Sequence, residues 1–173
     1  MASAFEQAKI TGLTAQFPVV AEQPLERYQD SFEEHRHHVY SLAFWMTDSE
    51  VAAEEISATV FQRAFAADVK PNADVLDRLL LSEIRELMPV GILRLDAPVC
   101  TEVSSVRHNV KRVHLERAVV QLPATERLIF LLHDVEGYDH GQIARTLGLN
   151  EEETRFGLHQ ARLRIRELVA ELS

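Results

Sequence analysis

At 173 residues the chain is long enough for one ordinary domain or two small ones, and its 46% hydrophobic share is ordinary for a globular protein. A formal charge of −9 argues against broad attraction to nucleic acid, and a single cysteine, Cys100, excludes an internal disulfide framework and a cysteine-based zinc or iron–sulfur site. No run approaches the roughly 20 apolar residues that span a bilayer, and the opening Met-Ala-Ser-Ala-Phe-Glu-Gln lacks a secretory signal, so the expected setting is cytoplasmic, without membrane insertion.

Residues 1–24 show no clear period and read as an N-terminal arm. A first helical domain is expected over 25–88. Phe32, Val39, Leu42, Ala43 and Met46 recur at helical spacing, and Thr47-Asp48-Ser49-Glu50 breaks the run and supplies caps for the next helix. That helix carries Val51, Ala52, Ile56, Val60, Phe61, Ala64 and Phe65. Asp68 to Asn72 is a loop around Pro71. A third helix follows through Val75, Leu76, Leu79, Leu80, Ile84 and Leu87, and stops near Met88 before Pro89 and Gly91.

Residues 89–109 are the least regular interior stretch and read as a connection between two helical domains. The second domain is expected over 110–173. One helix runs from about Val110 to Gln121 and ends at Leu122-Pro123, and another runs from Thr125 to Glu136 with Gly137 as its C-cap. Asp139-x-x-Gln142 reads as a capping box opening a short helix through Ile143, Ala144 and Leu147. Gly148 closes it, and Asn150-x-x-Glu153 is a second capping box opening a long last helix with Leu158, Ala161, Ile165 and Leu168 inward. Two capped helices joined by a glycine turn have the spacing of a helix-turn-helix, whose second helix enters the major groove by its N-terminal turns.

The segment Leu122-Pro-Ala-Thr-Glu-Arg-Leu-Ile-Phe-Leu-Leu-His-Asp-Val-Glu-Gly137, with Tyr138-Asp-His-Gly-Gln-Ile-Ala-Arg-Thr-Leu-Gly-Leu149 and Leu158-His-Gln-Ala-Arg-Leu-Arg164, resembles sigma-70 region 4 in its extracytoplasmic-function version. More faintly, Phe32-Glu-Glu-His-Arg-His-His-Val-Tyr40 and Ala53-Glu-Glu-Ile-Ser-Ala-Thr-Val-Phe-Gln-Arg-Ala-Phe65 are similar to sigma region 2, the second segment to the surface that grips core polymerase. The resemblance implies an all-α protein of two small helical domains. It implies a divergent alternative sigma factor that binds core RNA polymerase and double-stranded promoter DNA, needs no cofactor and is not an enzyme.

Carried over by position, Arg155, Phe156 and Gly157 face the −35 element outward, with His159, Gln160 and Arg162 on or near that surface. Arg162, Arg164 and Arg166 would form a basic patch for the DNA backbone, or else a solvated helix face. The polymerase-gripping positions are Glu54, Glu55, Ala58 and Arg63. Several residues depart from the family pattern. Glu151-Glu152-Glu153 stand where a glycine and a threonine are common, and carboxylates there favour the helix start but repel phosphate. Phe156 stands where a small polar residue is usual, Gly157 where arginine is common, and Ala58 has lost an amide. The residues beyond the gripping helix, Phe65, Lys70, Arg78 and Arg85 among interspersed acids, offer little for holding single-stranded DNA.

Charge is divided unevenly: residues 111–173 hold 9 basic and 10 acidic residues, and the rest hold 9 and 17. That division, Phe156 and the Glu151–Glu153 run motivate an alternative: a sigma mimic or regulatory interaction protein that binds an anti-sigma factor or polymerase without reading DNA. Among the 8 histidines, His35 and His38 tempt a metal reading, but no compact set of three or four ligands is visible and no phosphate loop or nucleophile elbow appears.

Overall fold

The structure, a computed structural model, describes residues 23–67, 71–93 and 110–172. Residues 1–22 of the expected arm, Asp68, Lys70, Cys100, His108 and most of the expected connection lie outside the described residues.

Every regular element among the described residues is helical. Helix α1 (Gln23–Thr47) takes in the last two positions assigned to the arm, with Pro24 in the first turn, where its missing N–H costs no hydrogen bond. Helix α2 (Glu50–Ala66) starts at Ser49, whose hydroxyl accepts from the Ala52 amide at 3.3 Å. Helix α3 (Ala73–Leu87) starts at Asn72, whose side chain accepts from Val75 at 3.0 Å. Then come α4 (Arg112–Val120), α5 (Ala124–Phe130), α6 (His140–Leu147) and α7 (Glu151–Leu172). The helix expected from Thr125 to Glu136 is not uniform. After Phe130 the chain widens into a π-helical turn, Leu131–Val135, with the Glu136 amide donating to the Leu131 carbonyl at 3.0 Å.

Helices α1–α3 pack on one another, α4–α7 form a second cluster, and α1 bridges them by lying against α4 and α5. Val39, Leu42, Met46, Val60, Leu80 and Ile84 from the first cluster share a continuous buried core with Leu122, Leu128, Ile129, Ile143 and Leu158 from the second.

The apolar stripes held with shifts of a position or two. Phe32 is partly exposed, resting edge-on against Phe61 at 4.8 Å, while Ser31 takes the buried position and donates to the Pro71 carbonyl at 3.0 Å. Val51 and Leu87 face out, and Ala53, Leu81 and Asp77 are buried in their helices instead. An acid on the buried face of α3 is explained by its partners, described below.

Candidate nucleic-acid interface

Short polar contacts fix the corner between α6 and α7. Asp139 Oδ1 accepts from the Gln142 amide at 2.7 Å while Gln142 Oε1 accepts from the Asp139 amide at 2.9 Å. Asn150 and Glu153 do the same for α7, both at 2.8 Å. Between them Gly148 sits at φ +73, where a side chain would be strained. Ile143, Leu147 and Leu158 lie in one core, with the half-buried Leu149 packed against it. Because the Asn150 pair satisfies amides at the start of α7, Asn150→Ala should cost about 1 kcal/mol and lower the melting temperature by about 2–4 °C. Thermal unfolding by circular dichroism checks it; a midpoint equal to wild type would show that the box contributes nothing.

The capped start of α7 presents Glu151, Glu152, Glu153, Arg155 and Phe156 to solvent. Arg155, with its side chain 59% exposed, donates to Glu151 at 2.9 Å. His159 is exposed one turn on. Arg162 follows, 47% exposed, with Nη2 and Nε donating to Asp134 at 2.6 and 3.0 Å.

Three expectations for this face are corrected. Gly157 points inward where α7 crosses α5: a Cβ there would stand 2.6 Å from Ile129 Cδ1, so the absent side chain permits the close approach. Gln160 is 5% exposed and lies on the core side, one position from the outward stripe. Arg164 is only 18% exposed at its side chain and faces Glu126 at 4.0 Å, so Arg162, Arg164 and Arg166 do not make one basic patch. Burial pushes the Glu126 carboxyl above its usual range, and Arg164 opposes the shift.

Sequence reasoning missed the residues beside this face. His133 and His140 stack with ring centres 4.7 Å apart, and His133 Nδ1 lies 2.7 Å from Asp134. The Arg162 hydrogen bond holds the Asp134 carboxyl below the usual range against the effect of burial, with His133 assisting. Burial, with His133 and Arg155 nearby, lowers the tendency of His140 to take a proton. No local sequence signal marks Asp134, because its partner is 28 positions away.

On the opposite cluster, Glu54, Glu55 and Ala58 lie exposed on one side of α2. Arg63 extends that helix face but is held by Glu83 of α3.

Two polar joints fasten the clusters. His38 of α1 reaches Asp77 of α3 at 2.7 Å through Nε2 and Glu136, just after the π turn, at 2.8 Å through Nδ1. Tyr138 donates its hydroxyl to the same Asp77. The hydrogen bond with Asp77 raises the His38 pKa to about 9, outweighing burial, with Glu136 adding to the rise. At the other joint Arg127 of α5 donates to the Met46 carbonyl at 2.9 Å and to Trp45, and also to Leu122 at 2.9 Å and to Val120. Arg85 adds a bond to the Leu147 carbonyl at 3.1 Å.

Among the described residues no group of three or more histidine, cysteine or acidic side chains is placed to hold a metal ion, and no helix is long and apolar enough to cross a membrane. The whole chain matches no curated protein. Residues 103–165 match the family model described as sigma-70, region 4. That stretch takes in the two-helix corner, Arg155 and most of α7, so the C-terminal part of the chain is similar to sigma-70 region 4, a helical domain of the kind that contacts DNA and RNA polymerase.

Proposed function

We propose that the protein is a divergent alternative sigma factor that binds core RNA polymerase and directs initiation by contacting double-stranded promoter DNA through the start of α7. One observation carries this reading: in a matched region 4 domain, a doubly capped corner leaves Arg155, Phe156 and His159 exposed on the outer face of the second helix. Arginine there can grip guanine edges or phosphate, and Phe156 suits a thymine methyl group. The exposed Glu54, Glu55 and Ala58 on α2 are the proposed polymerase contacts, with Arg63 at their border. Transcription reconstituted with core polymerase from the same source, on a library of its genomic promoters, tests the reading. Reproducible initiation that depends on the protein and falls at least tenfold with Arg155→Glu is expected. No stimulated initiation at any promoter would overturn it.

A second reading is favoured by the pairing of Arg155 with Glu151 and of Arg162 with Asp134 behind an acidic helix start. In it the protein is a sigma mimic that engages an anti-sigma factor or polymerase without reading DNA. Absent DNA binding at low salt, together with capture of an anti-sigma factor, would select it.

A further inference from the structure

We propose that Asp134 is an intramolecular stand-in for a DNA phosphate, occupying Arg162 and so holding down the DNA affinity of the α7 face. The inference rests on the promoter-binding reading above and assigns a regulating residue to it.

Arg155, His159, Arg162 and Arg166 recur at steps of four, three and four, so a helix turning about 100° per residue places them within a stripe about 60° wide. All four are exposed. Such a stripe is what a groove-binding helix offers to the phosphates beside it. Its cations are not equally available. Arg155 meets Glu151 across one turn of its own helix, with both side chains more than half exposed, and such pairs exchange readily with solvent and salt.

Arg162 is held differently. Its Nε and Nη2 both donate to Asp134, the forked arrangement in which a guanidinium also binds phosphate. Asp134 stands on a different element, keeps its side chain 23% exposed and is also met by His133 at 2.7 Å. Asp134 is therefore not a mobile surface acid that happens to lie near a base. A phosphate approaching Arg162 must displace a positioned carboxylate or bear its repulsion. In a protein of net charge −9, where long-range attraction does not help, each local cation counts more.

The test uses the full chain and a labelled duplex of mixed sequence, with binding followed by fluorescence anisotropy across salt. Asp134→Asn keeps a side chain able to accept from Arg162 but removes the charge. It should bind about tenfold tighter than wild type, and its plot of log affinity against log salt should steepen by about 0.9, one phosphate contact. Arg162→Ala should abolish the gain in the Asp134→Asn background, a coupling read by the double-mutant cycle. Circular dichroism verifies folding, and Asp134→Ser is the second variant should the asparagine form fail to fold. If Arg155→Glu weakens the wild type while the Asp134 variants match it in affinity and salt slope, the lock is overturned and the DNA reading stands. A gain that survives Arg162→Ala also overturns it, as a general effect of charge. If no form binds the duplex at low salt, both readings fall.

Discussion

Arg127→Met should lower the melting temperature by about 6–12 °C and expand the protein, because one side chain closes two helix ends at once. The last carbonyls of a helix have no partner within it and carry the negative end of its dipole. Arg127 donates to Trp45 and Met46 in the last turn of α1 and to Val120 and Leu122 around the end of α4. Burial works against its charge, and the nearby Asp48 partly offsets that cost. Removing the guanidinium strands several carbonyls together, for which a loss of about 3 kcal/mol is expected, at roughly 2–4 °C per kcal/mol for a chain of this size. Arg127→Lys should recover only part of the loss, since an ammonium cannot span both helix ends as the planar fork does. Thermal unfolding and small-angle scattering give the two readouts. A methionine variant that melts and scatters like the wild type would show that apolar packing alone joins the clusters.

The second large effect depends on pH. In the packed protein His38 holds its proton up to about pH 9, whereas the free ring releases it near 6.5. Its stabilising contribution is therefore complete below 6.5, declines between 6.5 and 9, and is gone above 9. A shift of that size corresponds to about 3 kcal/mol. Tyr138, pushed above its ordinary range by burial and then by Asp77, stays neutral throughout, so the imidazolium is the charged partner that Asp77 and Glu136 share. His38→Gln should melt about 6–12 °C below wild type at pH 6.5, and the gap should close as pH rises to 9. A gap that is constant or widens with pH would mean that the imidazole acts by shape and not by charge.

Much of the second cluster could be read in advance because its instructions are local. Asp139 with Gln142, and Asn150 with Glu153, each specify a helix start within four residues, and both boxes form. The same applies to Ser49 and Asn72. What escaped depends on residues far away in sequence. Gly157 looks like a weak point in a helix until Ile129 is placed against it. Gln160 and Arg164 lie within a turn of the outward stripe, and only the bearing of α7 against α5 decides which side they take. Asp77 breaks the apolar pattern of α3 for the sake of His38, 39 positions away, and His38 in turn meets Glu136 at a separation of 98. His38, which with His35 invites a metal reading in the sequence, serves the joint between clusters instead.

The widened turn at Leu131–Val135 sends two acids to different duties, Asp134 toward Arg162 and Glu136 toward His38. In geometric terms it is a helix carrying one surplus residue. Five residues in so wide a turn sweep about as far round the axis as four α-helical residues at about 100° each, so deleting the surplus one would regularise the spiral and leave the chain beyond it on nearly its old bearing. The surplus residue is thus absorbed where it stands, and one short turn holds the acid that meets the outward helix face and borders the acid that meets the seam between the two clusters.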